Sequence, residues 1–319
     1  MKECPMKFKT LQEVKVILSD KTFTVRPKSA NVPKEIEASC AGEIFSSLVR
    51  MRDDNEHEKL KIAVTQTLES FTEQEIYQNT LFVAKILYKK INSAESLTKF
   101  NYALSIYVIG HFLGIKNQEW KELVNKVIDF IQCISPSGDK QRITESIIAS
   151  EYLYVQLEYA SGVLLNKLKE KCLMQNITNK HVVISNAIGF FFQVSDSTTG
   201  LLGQMLIEYK KGYNNGVKIL DEVLKREPPI KNTRRFKTEQ GDSSSETLIV
   251  APLRTKEGTL PFGYGHHRCP GEIWGRTIAL AAFDFLTSLP NIDSLIEFYQ
   301  WRYLPNAMIP EFITCLKKK

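Results

Sequence analysis

With 319 residues, 43% hydrophobic and 24% charged, the chain carries enough apolar material for a sizeable core and is neither a disordered polyelectrolyte nor a fibrous repeat. Lys and Arg number 42 against 36 Asp and Glu, a net charge of +6 spread along the chain, which gives no electrostatic case for nucleic acid. No apolar run is long enough to span a membrane and Met1-Lys2-Glu3-Cys4-Pro5 opens nothing like a signal peptide, so the expected location is cytoplasmic, without membrane.

Residues 8–24 predict a short amphipathic helix with Leu11, Val14, Ile17 and Leu18 on one face. Residues 26–50 predict an irregular, proline-containing surface loop. A helix start follows at 53–61, where His57 and Lys61 are spaced i and i+4 and share a face. From Phe100 to Ile134 the pattern is that of two core helices, broken at Gly114-Ile115-Lys116-Asn117. Helical patterning resumes over 141–172, with a break near Ser161-Gly162.

The stretch 184–209 is a long apolar helix with a polar interruption, Gln193-Val194-Ser195-Asp196-Ser197-Thr198-Thr199. Hydroxyls and an acid are poor helix-interior residues, so the interruption reads as a polar pocket or as a polar bend in an ordinary helix. Glu222 and Lys225, at i and i+3, are expected to pair on one face, with Arg226 on the wrong one. Arg234-Arg235 alone is a solvated pair. Residues 240–245, Gln-Gly-Asp-Ser-Ser-Ser, predict a flexible turn, and 247–251 a strand. A helix running to about Leu289 and an aromatic tail, 298–303, end the pattern.

Of the six cysteines, at 4, 40, 133, 172, 269 and 315, none has paired spacing, which predicts reduced and mostly inert thiols. Cys269 stands apart. It lies in a glycine-punctuated loop, Phe262-Gly263-Tyr264-Gly265-His266-His267-Arg268-Cys269-Pro270-Gly271, directly before a helix. Cations, backbone N–H groups and a helix N-terminus favour thiolate and fix its position, a setting suited to haem iron. A zinc site built from His266, His267 and Cys269, or a buried structural cysteine, are the alternatives; zinc wants four ligands in paired spacing, which this run lacks.

The loop resembles the haem-binding signature of the cytochrome P450 family, Phe-x-x-Gly-x-His/Arg-x-Cys-x-Gly, at Phe262, Gly265, His267, Cys269 and Gly271. Further segments are similar to the family's ordered motifs: 53–61 to the opening of its C helix, 184–209 to its I helix, and 221–235 to its K helix and the turn after it. The resemblance implies a mainly α cytochrome P450-like fold with reduced β content, one domain over 1–319. It would lack the usual N-terminal sheet and helix, by natural shortness or truncation, and have a shortened segment before the cysteine loop.

The resemblance also implies haem b, with Cys269 as the metal ligand and Phe262, His267 and Gly271 around it. His57, Lys61 and Arg234 would neutralise the propionates. Asp196 and Ser197 would relay protons on the distal side; a register one residue along places those roles on Ser197 and Thr198. Phe191, Gln193 and Ile230 would shape the substrate pocket. The implied activity is monooxygenase-type oxidation of a small organic substrate, using dioxygen and electrons from a ferredoxin or flavodoxin docked on the basic proximal face. Lys225 in place of Arg, Gln193 and Val194 in place of small residues, and the shortened donor-side region keep two other classes open. One is a donor-independent haem-thiolate enzyme (peroxygenase, dehydratase or isomerase), and the other a non-catalytic haem-binding or partner protein.

Overall fold

The computed structural model describes residues 2–3, 8, 10–28, 30, 32–132, 139–239 and 242–315. Twelve α-helices dominate the described residues: α1 (Leu11–Ser19), α2 (Cys40–Ser47), α3 (His57–Glu69), α4 (Glu73–Leu87), α5 (Ala94–Leu113), α6 (Trp120–Gln132), α7 (Lys140–Glu158), α8 (Val163–Met174), α9 (Lys180–Lys210), α10 (Gly216–Arg226), α11 (Glu272–Thr287) and α12 (Ile292–Leu295). The strands are β1 (Lys2–Glu3), β2 (Phe23–Thr24), β3 (Asn232–Glu239), β4 (Asp242–Pro252), β5 (Arg254–Thr255), β6 (Gly258–Thr259), β7 (Phe298–Tyr303) and β8 (Met308–Ile313). They form one four-stranded sheet in the order β1-β4-β3-β2 and two two-stranded hairpins, β5-β6 and β7-β8. The chain is mainly α with small sheets, as the resemblance implies.

Local chemistry fixes the helix ends. Thr10 with Glu13 and Thr72 with Glu75 form capping boxes at α1 and α4, each satisfying two backbone donors that a helix start leaves free. Gly114 closes α5 in the left-handed region at φ 88°. The second expected break, at Ser161-Gly162, has a packing cause. Gly162 N–H donates to the Leu113 carbonyl at 3.1 Å, and a Cβ there would sit 2.1 Å from the Leu113 carbonyl carbon.

Helix α9 runs through the core, packed by α5, α11, α10, α2, α7 and β8. Ile184, Ala187, Ile188, Phe191, Met205 and Leu206 on it are fully buried. At ~1.5–3 kcal/mol for each large apolar side chain, these anchor the helix firmly enough to carry polar residues in its middle.

Two expectations need correction. Within the stretch read as irregular, Cys40–Ser47 is helical, capped by Ser39, whose hydroxyl accepts from Gly42 N–H, with Ile44 and Phe45 buried. The strand expected from residue 247 begins at Asp242, opposite Glu239, so β3 and β4 form a longer hairpin than the serine-rich composition suggests. Gln240 and Gly241, from the expected turn, lie outside the described residues, as do Cys4 and Cys133.

Candidate functional site

The loop 262–271 is drawn tight by its own backbone. Cys269 N–H donates to the Phe262 carbonyl at 2.8 Å, Gly263 N–H to Leu260 at 2.9 Å, and Arg268 N–H to Gly265 at 3.0 Å. Gly265 has φ 70°, and a Cβ on it would lie 2.7 Å from the Leu18 carbonyl oxygen, so the loop leans directly on the C-terminal end of α1. Gly271 caps α11 and its N–H bonds the Cys269 sulfur. That hydrogen bond, with Lys61 and Arg50, favours thiolate, but burial outweighs them and holds the thiol above its ordinary pKa.

Cys269 has accessible surface yet lies deep in the molecule, and Arg50, just before α3, shares both properties. Together they mark a cleft between the cysteine loop and the segment joining α2 to α3. Basic and imidazole groups converge on it. Burial depresses the pKa of Arg50, against the opposing pull of Cys269. Burial likewise lowers Lys61, whose ammonium donates to the Arg268 carbonyl.

His57 is 7% exposed, its Nε2 has no hydrogen-bond partner, and its ring centroid is 4.4 Å from that of His267. Burial, then the charges of His267, Lys61 and His266, push its pKa down to about 4. His267 Nε2 meets Asp53 Oδ1 at 2.9 Å, and Asp53 also accepts Val25 N–H at 2.8 Å. Burial opposes the Asp53 carboxylate, but these hydrogen bonds prevail and its pKa is lowered.

Asp53, His266 and His267 place ligand atoms within 4.8 Å of one another, close enough to invite a metal ion. Cys269 is not in that group, so the zinc set of His266, His267 and Cys269 is not assembled among the described residues. Charge decides what the cleft prefers. Arg235 acts electrostatically on both histidines, and Lys61 on His267. Two unit charges 4 Å apart interact by ~4 kcal/mol at an effective dielectric near 20, so a dication here would be opposed by its neighbours and a dianion drawn in.

On α9, Ser197 Oγ donates to the Gln193 carbonyl at 3.0 Å, the back-bond a hydroxyl makes in a helix interior. Asn186, Gly189, Gln193 and Ser197 follow helical spacing along one face. Asn186 accepts Val49 N–H at 2.9 Å and donates to the Ser47 carbonyl at 2.9 Å, tying that face to the segment that ends in Arg50. Asp196 points elsewhere, toward the C-terminal hairpin: burial raises its carboxyl pKa and Arg302 on β7 opposes the rise. Arg302 in turn donates to Tyr102 Oη at 2.9 Å. Thr198 is buried with its hydroxyl unpartnered and faces α11, 3.9 Å from a Cβ built on Gly275.

Some expected residues lie elsewhere. Arg234 is exposed on β3, while its neighbour Arg235 is 4% exposed, with Nη1 bonded to the Arg234 carbonyl at 2.9 Å and Nε unpartnered. Strand alternation sends the two to opposite sides, and it is Arg235 that acts on the cleft's histidines. Phe191 is fully buried against Gly110 of α5 and is core, not pocket. Gln193 lies beside Gly189 and Leu48, on the face of Ser197. Ile230 bridges Ala307 at the turn of the β7-β8 hairpin. Glu222 pairs with Arg226 at 2.9 Å, not with Lys225. Arg50, Asp53, Arg235 and Arg302 were missed; none has a local pattern separating it from a solvated charge.

No family model matches the chain. It is 20% identical to a biotin biosynthesis cytochrome P450 of Bacillus subtilis (strain 168), over 92% of this chain and 85% of the relative. Its fold matches P450BioI in complex with hexadec-9Z-enoic acid ligated acyl carrier protein, with TM-score 0.71 and 18% identity, covering 94% of this chain and 89% of that one. It also matches the tirandamycin C-bound P450 monooxygenase TamI, with TM-score 0.69 and 17% identity, over 96% of this chain and 87% of that one.

Proposed function

We propose that this chain is a haem-thiolate monooxygenase of the cytochrome P450 family with Cys269 as the iron ligand, a reading supported by its likeness to the P450 relative and by its P450 fold. One observation carries the reading: a sulfur that is deep yet accessible, held by Gly271 N–H at a helix start, beside a cleft of buried cations and imidazoles. The residues fit haem b. His57 Nε2 and Arg235 Nε are buried without acceptors, and the two propionates of haem are the acceptors such groups lack. His57, Arg235, His267 and Arg50 would hold them, while Lys61 acts electrostatically on the sulfur. Arg234 has no part in this.

Bound haem would supply oxidative chemistry, with electron donation from the thiolate favouring O–O cleavage. The chain's own residues supply position and protons. Ser197 would move a proton at Oγ, with the Gln193 carbonyl orienting the hydroxyl between transfers. Asp196 sits on the adjoining face, its carboxyl pKa raised by burial and its side chain directed toward the C-terminal hairpin. The Asn186 contacts hold the segment that ends in Arg50 against the Ser197 face.

The substrate is a small organic molecule. Electrons come from a ferredoxin- or flavodoxin-type acidic donor docking beside Arg268 and Lys15, two cations on a surface depression of the cysteine loop. No helix among the described residues is long and apolar enough to cross a membrane. The test is the absorbance spectrum of the reduced, carbon monoxide-treated protein. A thiolate-type band in the parent chain, lost in Cys269→Ala, is expected; a haem protein whose spectrum survives that change would refute the assignment.

A further inference from the structure

Helix α9 is enclosed toward both ends and open in the middle. Residues 183–191 and 198–207 are buried throughout, whereas Phe192, Gln193, Val194, Asp196 and Ser197 keep accessible surface. A hollow therefore borders the central helix of the core. Of the three polar side chains on it, two are engaged. Ser197 Oγ donates to the Gln193 carbonyl at 3.0 Å, and Asp196 is drawn to Arg302 of β7. Gln193 is the third. Its carboxamide makes no hydrogen bond among the described residues, and neither of its polar atoms is enclosed.

The amide has a berth. A Cβ built on Gly189, one turn before it, would lie 3.0 Å from Gln193 Nε2 and 2.9 Å from Leu48 Cδ2. Glycine there leaves the room in which the Gln193 side chain folds back along α9, beside Leu48 of the segment that joins α2 to α3 and walls the cysteine cleft. The flanks are apolar: Phe192 on one side, edge to face with Phe130 of α6 at 5.8 Å, and Val194 on the other.

We propose that Gln193 determines specificity in the cleft, and that the substrate it selects is an apolar molecule bearing one uncharged carbonyl, whose oxygen accepts from the Gln193 amide. This names the substrate class for the function proposed above, and it rests on that reading for the chemistry but not for the binding. A primary carboxamide is neutral, so it cannot repay the desolvation of a carboxylate or an ammonium group. Its nitrogen brings two N–H donors, which suit a carbonyl oxygen with two lone pairs and no hydrogen of its own. Among apolar walls, a lone polar group favours the ligand that pairs it and penalises one of equal shape that leaves it unpaired.

The experiment is a pair of fluorine NMR titrations of the purified full chain, without reductant, using para-fluoroacetophenone and para-fluoroethylbenzene. The two probes differ only by a carbonyl in place of a methylene. Saturable broadening of the ketone signal is expected with the parent chain. Gln193→Leu introduces a strong helix former of similar size at a position with accessible surface, so the fold is kept. It should lower the preference for ketone over hydrocarbon about tenfold, and comparing preferences cancels the ketone's own affinity for water. No saturable ketone binding by the parent would overturn the proposal, and so would an equal preference in Gln193→Leu. Fluorine needs no iron to report, so the two readings fail separately. A Gln193-dependent preference in a chain whose carbon monoxide spectrum lacks the thiolate band would refute the role of Cys269 and keep that of Gln193. A thiolate band with a preference independent of Gln193 would do the reverse.

Discussion

Replacing Arg235 by Met separates the two readings of the Arg234-Arg235 pair. Arg235 is 4% exposed, its pKa is lowered by burial, and its Nε has no partner. In the haem-free chain that guanidinium is a desolvated charge, so an apolar side chain of similar length should be neutral or stabilising, by about 1 kcal/mol. In the haem-bound chain Arg235 gains an anionic acceptor. A hydrogen bond to a charged group contributes ~1.5–3 kcal/mol, so its loss should weaken haem binding roughly 10- to 150-fold. Arg234→Met, on the exposed side of the same strand, should change haem affinity and stability by less than ~0.5 kcal/mol. The assay is a haem titration followed by absorbance, run alongside thermal melts of the haem-free proteins. If Arg234→Met loses haem affinity and Arg235→Met keeps it, the strand register and the anion-binding role both fail.

His57 gives a pH signature. Its pKa falls to about 4 in the folded chain against about 6.5 unfolded, so between those values the unfolded state binds more protons and stability rises with pH. The haem-free chain should therefore lose about 2 kcal/mol, allowing for solvent screening, as pH drops through that window, and His57→Gln should flatten the slope; identical slopes in denaturant melts would show that His57 does not titrate this way. Ser197→Ala removes the hydroxyl that donates to Gln193 while leaving the cleft's cations in place. Haem and substrate binding should stay within twofold, while product formed per reductant consumed should drop several-fold; an unchanged ratio would remove Ser197 from proton delivery.

The helices were legible because their burial is periodic: Val14, Ile17 and Leu18 on α1 are the face the spacing marks. The cysteine loop was legible because its glycines and the helix behind it are local features, and its hydrogen bonds close within ten residues. What failed was whatever depends on contacts distant in sequence. Arg234 and Arg235 are chemically equal in the sequence, and only the pairing of β3 with β4 decides which one is buried. Phe191 belongs to a strongly apolar run, and nothing local says that it faces α5 and not the cleft. Glu222 meets Arg226 because i+4 was as open as i+3 on an exposed helix face, where such pairs contribute only ~0.3–0.5 kcal/mol. The serine-rich run before residue 247 is strand because β3 offers a partner, which overrides its low strand propensity.

The seat of Gly265 against the last turn of α1 makes the N-terminal helix a brace for the sulfur. No β-carbon fits between them, so loop and helix are in backbone contact with no side chain to act as a spring. Val14 and Leu18 on the same helix are buried with Ala251, Leu253 and Leu260, on the strand side of that loop. Tension applied at the N-terminal helix would therefore pass to Cys269 through main chain, and the rigidity of that cysteine's mounting is set some 250 residues upstream of it.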